Sequence, residues 1–213
     1  DNEQSLVAKV RVELASARNM PMRARTSLHG WHDRQFVGHV SSFGVGEPTI
    51  ELNRSDDTSQ ALTARLGLLA QWRKRLCPLC IRSDYLIFVI ALALAAPLMK
   101  LVGEEEGFII QLEGQTTTGK TLSARVCQSV FGDPAKLPTF DISGRACEEL
   151  CASRSDMVTI IDELGHLGDR PEHIREFQKK MAFMATGGSG RSRSTVVKHS
   201  GLEGLTWRTI VLA

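Results

Sequence analysis

The sequence lacks a paired cysteine framework, and this absence argues against a disulfide-stabilised secreted protein. Its five cysteines are an odd set without regular spacing, so we expect reduced thiols in a cytoplasmic protein. Cys77 and Cys80 would need a second pair of ligands at similar spacing to hold a metal, and none follows. We therefore expect structural thiols.

A membrane-spanning run is also missing. The longest apolar stretch, Tyr85 to Met99, falls short of the ~20 residues that cross a bilayer and contains Pro97, so we interpret it as a buried core helix. No signal peptide pattern opens the chain, and we predict no membrane partner. Because the first residue is Asp1 and the last residues, "TIVLA", are typical of a strand, we expect a fragment of a longer polypeptide.

Net charge is small as well. At +2 the chain has no general attraction to nucleic acid, so any basic partner site must be local. Such an asymmetry exists from residue 170 onward, where Glu172, Glu176 and Glu203 are the only acids. They are outnumbered by Arg170, Arg175, Lys179, Lys180, Arg191, Arg193, Lys198 and Arg208.

What is present favours a globular α/β protein, since 42% hydrophobic residues can build a substantial core. Residues 1–58 mix a periodic stretch with short strand-like pieces and predict a small α+β element. From residue 59, "ALTARLGLLAQWRKRL" predicts a helix that packs with the apolar helix after it. The rest, to residue 213, alternates strand and helix, which is typical of a mostly parallel sheet with helices on both faces.

One motif indicates a particular ligand. "GQTTTGKT" has the form G-x-x-x-x-G-K-[ST], follows the strand-like "FIIQLE" and precedes a helical pattern. Its glycines permit a sharp turn and close approach of the backbone to phosphates, and the amides and helix dipole supply positive potential. We predict an ATP-binding loop made of Gly114, Gln115, Thr116, Thr117, Thr118, Gly119, Lys120 and Thr121. Lys120 would bridge the β- and γ-phosphates, and Thr121 would bind Mg²⁺.

A second motif supports the first. "MVTIIDEL" is a continuous apolar strand that ends in Asp162 and Glu163, about forty residues downstream. A parallel sheet would bring its carboxyl end beside the loop, where Asp162 would help Thr121 hold Mg²⁺ and Glu163 would activate the attacking water. A carboxylate at that position favours hydrolysis of ATP over transfer of its phosphate.

Several segments together resemble the family called domain of unknown function 927. They are "GWHDRQFV", "ALALAAPLMKLVGEEEGFIIQLEGQTTTGKT", "SVFGDP", "IIDELG", "MATGGSGRSRS" and "WRTIVLA", in the order and approximate spacing of that family. The family supplies the ATPase core of helicase-like proteins in phages and mobile elements, similar to the MCM group of AAA+ proteins.

The resemblance implies an AAA+-like P-loop ATPase core, hexameric, that moves on DNA and uses ATP and Mg²⁺. In the related helicases a hairpin after the second motif reaches DNA in a central pore, and the resemblance implies single-stranded DNA in that pore. The corresponding segment here is 190–203, and the resemblance assigns the phosphate contacts to Arg191, Arg193 and Lys198.

The resemblance has two gaps. The family continues past the last strand into a polar sensor residue and a "GE" element, which lie beyond Ala213. No arginine finger can be assigned, although one from a neighbouring subunit contributes ~10³ to 10⁵ in rate in related ATPases.

Two other functions stay open. A small-molecule phosphotransferase is disfavoured by Glu163 and by the absence of an obvious arginine-rich lid. A nucleotide-responsive loader or scaffold, which recruits a replication protein through residues 1–58 and does not translocate, is compatible with the sequence.

Overall fold

A computed structural model of the chain describes residues 2–16, 23–38, 41–52, 67–115, 117–138, 144–162, 171–189 and 206–213. The amino-terminal part holds helix α1 (Asn2–Ser16) and two small sheets. In one sheet β1 (Arg23–Thr26) pairs in parallel with β5 (Thr49–Leu52). The other is antiparallel, in the order β2 (Gly30–His32), β3 (Gln35–Val37) and β4 (Ser42–Gly44). The described part of residues 1–58 thus contains one helix and five short strands.

Two helices follow, α2 (Leu69–Cys80) and α3 (Asp84–Ala95). Ser83 caps α3, because its side chain accepts a hydrogen bond from the Leu86 amide. The helix stops just before Pro97, and two short 3₁₀ turns carry the chain on, Ala96–Leu98 and Lys100–Val102. Predicted helix residues before Gly67 lie outside the described ranges.

The prediction that the apolar run is a buried helix is wrong for one of its faces. Val89 and Ala93 are fully buried, whereas Tyr85 is 74% exposed and Leu94 is 54% exposed. The physical reason is that α3 has apolar side chains on all sides, but only one side of the helix packs against neighbouring elements. Within the described part of the chain, no helix is long and apolar enough to cross a membrane.

The remaining elements alternate as the sequence predicts. They are β6 (Phe108–Ile110), α4 (Lys120–Gln128), α5 (Gly144–Ser153), β7 (Val158–Ile160), α6 (Pro171–Gly187) and β8 (Ile210–Leu212). The three strands form a parallel sheet in the order β6-β8-β7. The last strand in sequence therefore lies between the other two. The sequence also predicts a strand at "PTFDI", residues 138–142, but residues 139–142 are outside the described ranges.

Helices cover both faces of this sheet. On one face Val158, Ile160, Ile210 and Leu212 pack in a core cluster with residues of α3 and α4. On the other face Ile161 and Val211 pack with Cys147 and Cys151 of α5 and Met181 of α6. Because successive strand residues point to opposite sides, continuous apolar strands are what a sheet buried on both faces requires. The predicted mixed α/β arrangement with a parallel sheet is confirmed.

All five cysteines are free thiols, and every one except the half-buried Cys77 is buried. Burial raises the pKa of Cys127 to about 12. A hydrogen bond with Cys147, together with burial, raises the pKa of Cys151 well above its usual value. Neutral thiols of this kind behave as small apolar side chains, in agreement with the structural role expected from the sequence.

The "GWH" strand β2 and the residue before it contact the rest of the chain at Pro97 after α3 and at residues 153–156, between α5 and β7. The indole Nε1 of Trp31 donates to the carbonyl of Pro97 at 2.7 Å, and Nδ1 of His29 lies 2.9 Å from the carbonyl oxygen of Ser153. Gly30 has φ +95°, and a Cβ built there would lie 2.5 Å from the Ser155 carbonyl oxygen. Any residue with a Cβ would collide with this oxygen, so the close contact requires glycine. The predicted domain boundary near residue 58 lies outside the described ranges.

The variant Gly30→Ala tests the close contact between Gly30 and the Ser155 carbonyl, and Gly103→Ala is its matched control. Both glycines have positive φ, but a Cβ at Gly103 meets no atom within 4 Å. We expect Gly103→Ala to cost about 1–2 kcal/mol of backbone strain, which corresponds to roughly 2–8 °C in Tm. Gly30→Ala must also displace backbone, so we expect at least about twice that loss. Equal melting temperatures for the two variants would contradict the contact of β2 with residues 155–156.

Candidate functional site

The carboxyl ends of β6, β8 and β7 meet at one edge of the parallel sheet. The Leu112 amide donates to the Ala213 carbonyl at 2.7 Å, and the Ile161 amide donates to the Leu212 carbonyl at 2.9 Å. These bonds continue the strand pairing past the formal ends of the strands. As a result, the segment after β6 and the residues after β7 lie at the same edge of the sheet, on either side of the end of β8.

The predicted phosphate loop connects β6 to α4. Thr117 has φ +68° and Gly119 has φ +95°, and α4 begins at the next residue, Lys120. A left-handed conformation is rare for a β-branched residue such as Thr117, so other contacts must maintain it. One of the contacts within the loop is the hydrogen bond from Thr118 Oγ1 to the Gln115 carbonyl, 2.8 Å long. Thr116 is outside the described residues.

The Lys120 side chain folds back over this loop. Its Nζ donates to the Gly114 carbonyl at 2.6 Å and to the Gln115 carbonyl at 2.8 Å. The ammonium group is therefore held above the turn, next to the first turn of α4. A cation at this position adds to the positive potential that a helix amino terminus already provides.

Thr121 and Asp162 are brought together, although they are forty-one positions apart in the sequence. Thr121 Oγ1 donates to Asp162 Oδ1 at 3.4 Å. The backbone of Asp162 is fixed separately, because its amide donates to the Pro138 carbonyl at 2.9 Å. The two predicted metal ligands are thus neighbours at the same edge of the sheet.

A cleft of about 920 Å³ opens in front of the loop. Its lining combines both motifs with the end of the central strand β8: Gln111, Leu112, Glu113, Gly114, Thr117, Gly119, Lys120, Thr121, Leu122, Ala124, Ile161, Asp162, Leu212 and Ala213. This volume is within the range of pockets that hold small ligands. Leu112, Ile161 and Leu212 are among its apolar lining residues, and its polar side chains come from the loop, from Asp162, and from Gln111 and Glu113 just before the loop.

Buried contacts hold α4 on the sheet. Ser123, Val126 and Cys127 are buried on its inner side, and Gln128 at its end accepts a hydrogen bond from Arg154 Nη2 at 3.3 Å. Burial lowers the pKa of Arg154 to about 10, so this side chain stays protonated at neutral pH. A cation beside the last residue of α4 is favourable with respect to the helix dipole. The helix that begins at Lys120 is therefore firmly oriented.

Four further predicted site residues cannot be placed. Glu163, Arg191, Arg193 and Lys198 lie outside the described ranges, as does His166 after the second motif. The residues that flank segment 190–205 are described, and they pair with each other. Ser189 and Thr206 form an antiparallel bridge, and the Trp207 amide donates to the Gly188 carbonyl at 2.8 Å.

Sequence reasoning missed a group of contacts at the opposite edge of the sheet, just before β7 and β8. There Asp156 accepts hydrogen bonds from Arg208 Nε at 2.9 Å and from the Trp31 amide at 2.8 Å. Arg208 counted toward the basic character of the carboxyl-terminal part, but its guanidinium is engaged by this carboxylate. No local signal could have revealed the contact, because Trp31 and Arg208 are 125 and 52 positions from Asp156.

Comparisons with known proteins agree with this arrangement at the level of family and fold. A family model described as "Domain of unknown function (DUF927)" matches residues 2–199. Among solved structures, one described as "SCCmec type IV Cch - active helicase" has a TM-score of 0.57 and 15% sequence identity. The similarity covers 98% of this chain but 39% of that one, so the chain spans well under half the length of that helicase. No curated protein matches the chain.

The backbone of the loop can be tested by exchanging its two left-handed residues. We expect Gly119→Ala to lower the Tm by roughly 2–8 °C, because alanine at φ +95° costs about 1–2 kcal/mol. Thr117→Gly should leave the Tm nearly unchanged, since relief of strain at φ +68° offsets the greater freedom of glycine in the unfolded chain. If Thr117→Gly is as destabilising as Gly119→Ala, the loop does not have this conformation.

Proposed function

The chain belongs to the DUF927 family, and from that premise we propose that it is the ATP-binding and ATP-hydrolysing core of a DNA helicase or translocase. It would act in the cytoplasm, in replication of a phage or another mobile element. The observation that carries the proposal is the meeting of two motifs at one sheet edge. Lys120 and Thr121 open α4 at the point where Asp162 Oδ1 lies 3.4 Å from Thr121 Oγ1.

The loop has the features that phosphate binding needs. A Cβ at Gly119 would meet no atom within 4 Å, so space is available where the backbone faces the cleft. Residues Gly114, Gln115, Thr116, Thr117, Thr118 and Gly119 would present amides to the β-phosphate of ATP, with the amino terminus of α4 behind them. Lys120 Nζ would leave the two carbonyls that it now contacts and bind the β- and γ-phosphates.

Thr121 and Asp162 are suited to Mg²⁺, directly or through water. Adjacent ligands of an octahedral Mg²⁺ are ~2.9 Å apart, close to the separation of these two oxygens. Among the described residues no group of three or more His, Cys, Asp or Glu could hold a metal. This fits a metal that is held by one or two side chains and by the phosphates of its nucleotide. Bound Mg²⁺ would neutralise charge on the phosphates.

Glu163 is the proposed general base. It follows Asp162 directly in the sequence. A carboxylate there would orient water for attack on the γ-phosphate and accept its proton, a role worth about 10²- to 10⁴-fold in rate. This favours hydrolysis over phosphate transfer.

The order of the strands supports a P-loop, AAA+-like fold. β8 lies between the strand that leads into the loop and the strand that leads into Asp162. Ligands of parallel sheets bind outside the carboxyl ends of the strands, which is where the cleft lies. The similarity to a structure described as an active helicase supports the same fold for this chain.

DNA is the proposed macromolecular partner. Segment 190–205 carries Arg191, Arg193 and Lys198, and the Ser189–Thr206 bridge next to it supports a hairpin that starts from a closed base. The three side chains would contact the phosphates of single-stranded DNA in the central pore of a homo-oligomer, which we propose is a hexamer.

A second function, a loader or scaffold without translocation, is favoured by one observation. In β4 and just after it, Phe43 is 65% exposed and Val45 is 69% exposed. Exposed apolar side chains of this size on a small sheet could dock another replication protein. The two functions differ in whether DNA accelerates ATP turnover.

ATP turnover by the full-length protein, with and without single-stranded DNA, tests the leading proposal. We expect DNA to increase the rate. Lys120→Ala should lower turnover by about 10² to 10³, because it removes a positioned charge from the phosphates. Glu163→Gln should lower it by about 10² to 10⁴ while nucleotide binding is retained.

Lys136→Ala is a matched control for the lysine, because Lys136 is exposed and lies outside the cleft lining. Its turnover should equal that of the wild type. If DNA leaves the rate of ATP turnover unchanged and Glu163→Gln is fully active, the proposed helicase or translocase function is wrong.

The salt dependence of DNA binding tests the basic segment. Each lost phosphate contact to single-stranded DNA should flatten the slope of log K against log salt by ~0.7. Replacing Arg191 and Arg193 by alanine should therefore weaken binding and reduce the slope by about 1.4. Replacing exposed Arg73 and Arg75 of α2 is the control, and an unchanged slope in the test variant would exclude Arg191 and Arg193 from the interface.

A further inference from the structure

β7 is an apolar strand whose two ends are polar. Every residue from Met157 to Ile161 is buried, and the strand joins Asp156 at its amino end to Asp162 at the cleft. Asp156 lies in the turn just before the strand, with φ +59°, and at 3.3 Å per residue the stretch from residue 158 to residue 162 spans ~13 Å. A displacement of the strand at one end therefore also moves its other end.

Apolar packing alone does not set the register of such a strand well. Its neighbour β8 is also apolar, and a slip by two residues would keep the same faces inward while moving Asp162 by ~6.6 Å. The Thr121–Asp162 contact, 3.4 Å long, would not survive that movement. Directional polar pairs between the two strands are therefore needed to define the register.

Two such pairs join β7 to the residues before β8. Thr159 Oγ1 and Thr209 Oγ1 lie 2.8 Å apart, and both side chains are buried. Asp156 and Arg208 form an ion pair in which the carboxylate is 4% exposed and the guanidinium 16% exposed. Arg208 also donates through Nη1 to the Glu104 carbonyl at 3.1 Å, which ties the pair to the segment that leads into β6.

The ion pair is completed from the amino-terminal sheet. Asp156 Oδ2 accepts the Trp31 amide at 2.8 Å, while Oδ1 accepts both bonds from Arg208. A buried carboxylate is stabilised only when its oxygens are hydrogen-bonded, so docking of β2 is part of what holds Asp156 in place.

We propose that Arg208 is a positioning residue which, through Asp156 and β7, holds Asp162 opposite Thr121. The inference rests on the proposed function, because it assigns a role in metal use to a residue far from the cleft. The proposal also assigns a role to the "GWH" strand β2, because its Trp31 amide donates the remaining hydrogen bond to Asp156. Outer contacts that orient a metal ligand are worth about 10- to 100-fold in metal affinity.

The first measurement is the Mg²⁺ dependence of ATP turnover. Arg208→Gln should raise the Mg²⁺ concentration for half-maximal turnover by about 10- to 100-fold, while the rate at saturating Mg²⁺ changes far less. Arg208→Lys, which keeps the charge and one donor, should fall between Arg208→Gln and wild type. A general loss of structure would instead lower the saturating rate without changing the Mg²⁺ requirement.

The matched control is Arg145→Gln. Arg145 also pairs with a carboxylate, that of Glu149, but both side chains are about half exposed on α5. This variant should have the Mg²⁺ requirement of the wild type. An Arg208→Gln protein with an unchanged requirement would overturn the proposal.

The second measurement needs no nucleotide, so it separates this proposal from the proposed function. In Arg208→Gln, hydrogen exchange should accelerate both in residues 30–37 and in residues 157–162, and it should not do so in Arg145→Gln. If Arg208→Gln does not fold, the same comparison is made with Arg208→Lys, where a smaller acceleration in both segments is expected. Wild-type protein without Mg²⁺-dependent turnover would sink the proposed function alone, whereas unchanged exchange in residues 157–162 would sink the positioning role.

Discussion

The pairing of β8 with both β6 and β7 is the constraint on which the rest of the structure depends. Its three residues are buried almost completely, and their backbones bond to a strand on each side. This pairing brings the loop after β6 and the carboxylate after β7 to one edge, although they are forty-one positions apart in the sequence. The helices on both faces then follow from the need to cover strands that are apolar throughout. The proposed site for a charged ligand lies where these strands end and the loop before α4 begins.

The sheet also contains polar groups whose burial requires explanation. Buried ions and hydroxyls are costly unless paired, and replacing them with apolar residues often raises stability. The Thr159–Thr209 and Asp156–Arg208 pairs are directional, however, and apolar contacts between Val, Ile and Leu are not. They are therefore better explained as determinants of strand register than as sources of stability. The Asp156–Arg208 pair also contacts the amino-terminal part of the chain, because Asp156 accepts the Trp31 amide of β2.

Sequence reasoning succeeded where the signal is local. The loop from Gly114 to Thr121 and the strand before Asp162 were both predicted, because glycine spacing and apolar runs have short-range physical causes. The segment "GRACEELCAS" likewise predicts a helix, and the structure has that helix from Gly144 to Ser153. The exposed face of α3 was not predicted, since composition indicates that a segment is apolar but not whether a neighbour covers it. The Asp156 contacts were missed for a related reason, because a tertiary ion pair leaves no periodic pattern. The roles of Glu163, Arg191, Arg193 and Lys198 remain predictions.

The central claim is that the cleft binds ATP with Mg²⁺, and thermal unfolding in the presence of nucleotide tests it most directly. A ligand that binds only the folded state raises stability by about 2.7 kcal/mol at a concentration of 100 Kd, so the Tm should rise steadily with the logarithm of the Mg²⁺-ATP concentration. The rise should be absent in Lys120→Ala and much reduced in Asp162→Asn. A Tm that is the same in Mg²⁺-ATP as in Mg²⁺ alone, up to millimolar nucleotide, would contradict the account.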